Sequence, residues 1–190
     1  MENVEVIDNF LPDYIQDQIE NIINYGNIKY EYSPFSSYDK SYSNNNFKDE
    51  AQLVNNFIEE GNFVVDDMSH FFLLPLQVAC LKNNIQFSLN QIIRTKVNLK
   101  FRQESKSNTF INPPHRDTIL LNSLIGIYYI NDSDGDTIIY KGNDENNLKP
   151  IQNISPKKGR MILMDGLIYH SASHPLKTKT RKVINYNLKK

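Results

Sequence analysis

The spacing of apolar residues changes near residue 88. Before it, Tyr14, Ile15, Ile19, Ile22 and Ile23 recur at three- and four-residue intervals, which predicts an amphipathic helix over 13–25. Asp8-Asn9-Phe10-Leu11-Pro12-Asp13 is the helix entry, with Asp13 as candidate cap. Val4–Ile7 reads as a short strand ahead of it. Residues 47–60 and 68–84 also carry apolar residues suited to helices, and Pro75 either kinks the second or starts its main part. Tyr30 to Asn46, rich in Ser, Tyr and Asn, reads as a loop or irregular extended segment.

After residue 88 the pattern becomes that of strands. Ile92, Ile93, Val97, Leu99 and Phe101 predict one long strand, and Ile119 to Ile130 a second, rich in β-branched and aromatic residues. Asp132-Ser133-Asp134-Gly135 is a turn signal before a strand at Thr137-Ile138-Ile139-Tyr140. Lys141 to Lys149 is a polar loop, Pro156-Lys157-Lys158-Gly159 leads into a strand over Arg160–Met164, and Arg181 to Leu188 alternates as a final strand. Strands joined by short turns without intervening helices predict an antiparallel sandwich or barrel. No repeat or linker divides the chain. The expectation is one domain over 1–190, with a helical part at about 1–88 and a β core at about 89–190.

Composition narrows this little. Hydrophobic residues make up 39% of the 190 and aromatics 11%, enough for a sizeable core, and a net charge of −1 gives no global field toward nucleic acid or membrane. The single Cys80 excludes an intrachain disulfide and a Cys-based metal site, and its apolar neighbourhood predicts a buried structural thiol. No apolar run approaches the ~20 residues of a membrane span, and Met1-Glu2-Asn3-Val4-Glu5-Val6 has no signal-peptide pattern, so a soluble, cytoplasmic protein is expected. The 25 Asn, with abundant Ile, Lys and Tyr, fit an AT-rich coding sequence of viral or bacterial type.

The candidate chemistry lies in Asn112-Pro113-Pro114-His115-Arg116-Asp117-Thr118. A His and an Asp two apart on an extended segment point to the same side and can reach one metal ion. Fifty-five residues on comes His170. Two His and one carboxylate are the facial triad of non-haem Fe(II) oxygenases, which leaves three metal positions open. Arg181, eleven residues after His170, could hold a dicarboxylate. His174 is a rival ligand, but it precedes Pro175 and so belongs to a turn or extended loop. His70 has no partner motif.

In these residues the chain resembles the 2-oxoglutarate and Fe(II)-dependent dioxygenases, and looks most like their prolyl-hydroxylase-related and phage or bacterial hydroxylase branches. The resemblance covers roughly residues 90–190, with a weaker one at Ile7-Asp8-Asn9-Phe10-Leu11-Pro12. The motif His-x-Asp…His…Arg maps onto His115, Asp117, His170 and Arg181; Tyr128-Tyr129-Ile130-Asn131-Asp132 with Gly135-Asp136-Thr137 is similar to the family's strand and Gly-rich turn, except that Asp136 stands where a second Gly is frequent.

The resemblance implies a double-stranded β-helix, or jelly roll, flanked by N-terminal helices. It implies Fe(II) held by His115, Asp117 and His170, with 2-oxoglutarate and O2 as cosubstrates and ascorbate as supporting reductant. The reaction would hydroxylate an unactivated carbon, with succinate and CO2 as coproducts. Asp117 opposes the halogenase variant, which replaces the carboxylate. Arg181 would anchor the far carboxylate of 2-oxoglutarate, since Arg pairs bidentately with carboxylates. Asn98, on the same strand face as Arg94 and Lys96, and Tyr128 are candidates to complete that pocket. A prolyl or other peptidyl side chain is the leading substrate, with a free amino acid or small metabolite as alternative; the loops Tyr30–Asn46, Gln103–Pro114 and Lys141–Lys149 would choose it. A metal-binding jelly-roll module without turnover is the rival from another class. Nucleic-acid demethylation finds no basic, aromatic-laced patch to support it.

Overall fold

The computed structural model describes residues 4–36, 50–64, 67–102 and 111–190. In chain order its elements are β1 (Val4–Ile7), α1 (Asp13–Tyr25), β2 (Glu31–Ser33), β3 (Gln52–Glu59), β4 (Asn62–Phe63), a 3-10 turn (Asp67–Leu73) running into α2 (Leu74–Lys82), then β5 (Ile92–Phe101), β6 (Ser123–Tyr129), β7 (Thr137–Lys141), β8 (Lys149–Ile154), β9 (Met161–Asp165), β10 (His170–Ala172) and β11 (Thr180–Lys189). Two antiparallel sheets result. The larger has the order β1-β9-β6-β11-β5-β3-β2, with β4 paired to β3; the smaller has the order β10-β7-β8.

Strand alternation sends side chains of the large sheet to two different cores. One face packs against the helices: Ile19 and Ile23 of α1 and Leu76, Ala79 and Cys80 of α2 meet Leu124, Tyr128, Met161, Ile184, Tyr186 and Leu188. The other face meets the small sheet, where Ile125, Ile127, Ile162, Met164 and Val183 pack on Ile139 and Ile154. Each such aliphatic side chain contributes about 1.5–3 kcal/mol when fully buried. Charged pairs tie the layers together: Arg160 donates from Nε and NH2 to both carboxylate oxygens of Asp8 at 2.8 Å, and Lys158 reaches Asp17 and Glu20 of α1. Cys80 is buried and its thiol is pushed up to about 11 by that burial, as expected of a structural thiol.

Several expectations need correction. Residues 47–60 do not form a helix where described: Gln52–Glu59 is strand β3, hydrogen-bonded between β5 and β2. A β-bulge between Asn56 and Ile58 places Phe57 and Ile58 both in the core, and that breaks the alternation a strand would show. The helical part is thus smaller than 1–88. Asp13 does not cap α1; Pro12 is the cap residue, its carbonyl accepting from Ile15 and Gln16, and Asp13 is the first helical residue. Residues 119–122 precede β6 rather than belong to it, and Lys149–Ile154 is a strand that the pattern did not suggest. Among the described residues no helix is long and apolar enough to cross a membrane.

Candidate metal centre

His115 and His170 are neighbours through their backbones. His115 N donates to His170 O at 2.9 Å and His170 N donates to His115 O at 3.0 Å, an isolated antiparallel bridge that extends the small sheet. A second bridge, Ile111 to Ser173, holds the same segment. His170 opens β10, one element beyond the strand that begins near Arg160, and it lies beside His115 in one sheet. The two imidazole centroids are 4.8 Å apart.

Two residues on, Asp117 turns its carboxylate to both rings: Oδ1 lies 3.9 Å from His115 Nε2 and Oδ2 lies 3.6 Å from His170 Nε2. One ligand atom from each of His115, Asp117 and His170 falls within 4.8 Å of the others. The Nδ1 of His115 faces Pro113 O at 3.1 Å and the Nδ1 of His170 faces Ile168 O at 3.2 Å. A carbonyl only accepts, so each Nδ1 carries the hydrogen and each Nε2 offers its lone pair to the centre. Burial, and then the neighbouring His170, push His115 down to about 4, which leaves its ring neutral at ordinary pH. Burial works to raise the Asp117 carboxyl, but the adjacent His170, with His115 and Lys96, outweighs it and holds the group well below its usual range. Two imidazole nitrogens and an ionised carboxylate are the donor set a divalent iron takes.

The carboxylate is itself held. Asn185 of β11 donates from Nδ2 to Asp117 Oδ2 at 2.8 Å, and Arg94 NH2 stands 3.6 Å from Oδ1. Along β11 the residues Arg181, Val183, Asn185 and Asn187 share one face, opposite Lys100, Asn98, Lys96 and Arg94 of β5 in register. That face forms one wall of a small cavity of about 40 Å³ lined by the triad together with Lys96, Asn98, Lys100, Asn112 and Arg181.

Arg181, 4% exposed, donates from Nε to Gly135 O at 2.8 Å and from NH2 to Thr137 Oγ1 at 2.8 Å. Gly135 makes room for it: a Cβ there would stand 2.7 Å from Ser173 O and 3.1 Å from Arg181 Cδ. Tyr129 donates to the same Thr137 hydroxyl at 2.6 Å, with the guanidinium 5.6 Å from its ring centroid. Burial lowers the Arg181 pKa, partly offset by Tyr129 and Asp136, but a guanidinium remains charged.

The structure thus brings His115, Asp117, His170, Arg181 and Asn98 to one cavity; Asn98 Oδ1 is buried there with no hydrogen-bond partner among the described residues. Tyr128 is not with them. It points to the helix-side core, its ring edge-on to Phe10 at 6.1 Å, and its neighbours Ile127 and Tyr129 face the small sheet instead. His174 lies in the loop after β10, as expected, but is fully buried, and burial and Lys100 push it down to about 4; it is not among the clustered ligand atoms. His70 is exposed against Phe63. Asn185, Asn112, Lys100 and Thr137 were not foreseen, although Asn185 lies four residues from Arg181 on the same strand face. Of the expected substrate loops, 37–46 and 103–110 lie outside the described residues.

No model of a protein family matches the sequence, and a search of curated proteins finds no relative. Solved structures do resemble it. An oxidoreductase of the 2OG-Fe(II) oxygenase family from Burkholderia pseudomallei matches at 11% identity and TM-score 0.69, over 97% of this chain and 84% of that one. A prolyl hydroxylase from Trichoplax adhaerens, in complex with a peptide fragment of the hypoxia inducible factor oxygen degradation domain, matches at 15% identity and TM-score 0.63, over 99% and 84%. The epimerase SnoN, in complex with Fe3+, alpha ketoglutarate and nogalamycin RO, matches at 10% identity and TM-score 0.62, over 99% and 79%. The chain therefore has the double-stranded β-helix fold of the 2-oxoglutarate oxygenases.

Proposed function

We propose that this chain is an Fe(II)- and 2-oxoglutarate-dependent dioxygenase that hydroxylates an unactivated carbon. The observation that carries the reading is the convergence of His115 Nε2, His170 Nε2 and the Asp117 carboxylate, with both Nδ1 atoms committed to backbone carbonyls. Iron and 2-oxoglutarate, when bound, supply oxidation of a C–H bond by O2 with release of succinate and CO2.

The chain's own residues supply the positions. His115, Asp117 and His170 would hold the ion on one face and leave the opposite face to ligands. Asn185 orients the Asp117 carboxylate, and such outer hydrogen bonds keep a ligand at its angle. Arg181 would take the distal carboxylate of 2-oxoglutarate, since Gly135 and Thr137 already fix its guanidinium plane. Asn98 and Asn112 line the same cavity with buried polar atoms that have no hydrogen-bond partner among the described residues and can meet polar groups of a ligand. Ile127 and Val183, from the interface of the two sheets, give the cavity its apolar lining.

A peptidyl side chain is the leading substrate and a small metabolite the alternative; the resembling structures include one of each kind of complex, the peptide on the Trichoplax prolyl hydroxylase and nogalamycin RO on SnoN. The test is succinate formation with Fe(II), 2-oxoglutarate and ascorbate, against a panel of peptides and amino acids. Turnover that depends on 2-oxoglutarate and disappears in His170→Ala is expected. Tight metal retention with no succinate from any panel member, nor from 2-oxoglutarate alone, would instead make the chain a binding module.

A further inference from the structure

Lys96 is a buried cation that the proposed reaction does not use. It is 8% exposed, on the face of β5 that looks into the metal cavity. Burial and then the repulsion of Arg94 work against its charge, while Asp117 favours it. Arg94 leans on the same carboxylate at 3.6 Å. One acidic group thus faces two cations that the same strand carries two residues apart.

The balance worsens when the site is filled as proposed. A divalent ion is matched by Asp117 and by the keto-acid carboxylate of 2-oxoglutarate. Arg181 is matched by the distal carboxylate. Asp117 is then engaged by the ion, and Lys96, the buried member of the pair, loses the carboxylate it faces, in a place where an unmatched cation costs several kcal/mol; the other carboxylate on its cavity, Glu31, is exposed on β2.

Position separates this pair from the cosubstrate anchor. Arg181 stands opposite Lys100, whereas Lys96 stands opposite Asn185, the residue that holds Asp117. The two rungs are four residues, about 13 Å, apart along the strands. Lys96 and Arg94 also line a second cavity of about 510 Å³, walled by β2 and the residues after it: Glu31, Tyr32, Phe35 and Ser36, with Gln52 and Asn56 of β3. None of the three metal-ligand candidates and not Arg181 lines that cavity. Lys96 stands where it meets the metal cavity.

We propose that Lys96 and Arg94 form an anion subsite for the substrate, so that the molecule hydroxylated carries a carboxylate or a phosphate, reaching the metal from the cavity beside β2. The inference rests on the oxygenase reading for its substrate, but the subsite is a property of the wall itself and can be tested without turnover.

The experiment uses the full chain loaded with Mn(II) and 2-oxoglutarate at fixed ionic strength. Propionate stands in for a carboxylate, sulfate for a phosphate, and propionamide is the neutral control; binding is read by calorimetry and by the shift in Tm. One or both anions should bind and propionamide should not, and which anion binds tells the two chemistries apart. Lys96→Met and Arg94→Gln should each weaken the anion by about tenfold or more, whereas Lys96→Arg retains it. Lys96→Met places an apolar chain of similar length in a buried position, so the fold should persist. Its 2-oxoglutarate affinity should stay within about threefold of wild type, unlike that of Arg181→Ala. An anion response equal in wild type and Lys96→Met overturns the proposal. So does no response in wild type, or a Lys96→Met variant that loses 2-oxoglutarate as Arg181→Ala does. Wild type that binds the anion but not 2-oxoglutarate would sink the oxygenase reading and leave the subsite standing. In turnover, an acid should be preferred to its amide, and Lys96→Met should erase the preference.

Discussion

The two faces of strand β11 are built from the same ten residues and obey opposite rules. Ile184, Tyr186 and Leu188 point to the helices and are buried in an apolar core, where the Tyr186 hydroxyl finds Phe72 O at 2.6 Å. Arg181, Asn185 and Asn187 point the other way, equally buried, into polar surroundings. The first face is satisfied within the chain. The second carries a guanidinium, amides and, across the register, two lysines, and it keeps polar capacity in reserve. Burial by itself therefore does not mark a core; what the buried groups still require does.

The contrast can be broken from either side. The largest effect should come from Asp117→Ala, whose metal affinity, measured by Mn(II) titration, should fall by more than the 10- to 100-fold that loss of an outer hydrogen bond costs. Near-normal metal binding by that variant would remove Asp117 from the centre. On the opposite face, Ile184→Ala should cost about 2–5 kcal/mol in denaturant unfolding yet leave metal affinity intact. A reversed outcome would mean that the two faces are not separable.

Arg181→Ala should weaken 2-oxoglutarate by roughly 30- to several-thousand-fold, the equivalent of about 2–5 kcal/mol, with metal binding nearly unchanged. Arg181→Lys should rescue only in part, because an ammonium cannot keep both the Gly135 and Thr137 contacts and a planar fork for the ligand. An unaltered 2-oxoglutarate titration in the Ala variant would move the anchor to Lys100 or Lys96. Asn185→Ala should lower metal affinity by about 10- to 100-fold through the freed Asp117 carboxylate. Full affinity in this variant would show that Asp117 is oriented by other contacts.

The smallest effect is electrostatic and lies in the turn that leads to Arg181. Asp134 is brought down to about 2: its modest burial works to raise it, and the backbone N–H groups of Thr178, Lys177 and Leu176 with the Thr178 hydroxyl outweigh that. A folded-state value below the ordinary 3.8 means that its stabilisation is present above about pH 4 and is lost as the pH falls toward 2. Asp134→Asn should therefore flatten the acid limb of the stability–pH curve, an effect kept small by the group's exposure to solvent. An identical acid limb in variant and wild type would assign the loss to other carboxylates.

What could be read in the chain divides along similar lines. Regular alternation in Arg181–Leu188 and the His-x-Asp spacing were legible, because both are local geometric facts. Tyr128 falls on the opposite face from the one expected because all seven residues of β6 are buried, so that no exposed residue marks which side is which. The bulge at Asn56 gave β3 the consecutive apolar pair of a helix. Strand β8 was silent for the reverse reason: five of its six residues are exposed and one is Pro150, as an edge strand allows. Lys96 was visible as a residue on the Asn98 face, but that it is buried beside Asp117 is a property of the packed sheets and not of β5 alone.

The paired backbone hydrogen bonds between His115 and His170 close a loop that contains β6, β7, β8 and β9. An ion shared by the two side chains would clamp the same two points a second time. Whatever binds only the closed form adds about 2.7 kcal/mol at a hundredfold excess over its Kd. The metal would then govern how long each copy survives as well as what it catalyses. A cell short of iron would hold chains in which the segment from Ile111 to Asp117 opens more often, and proteases would reach those copies first.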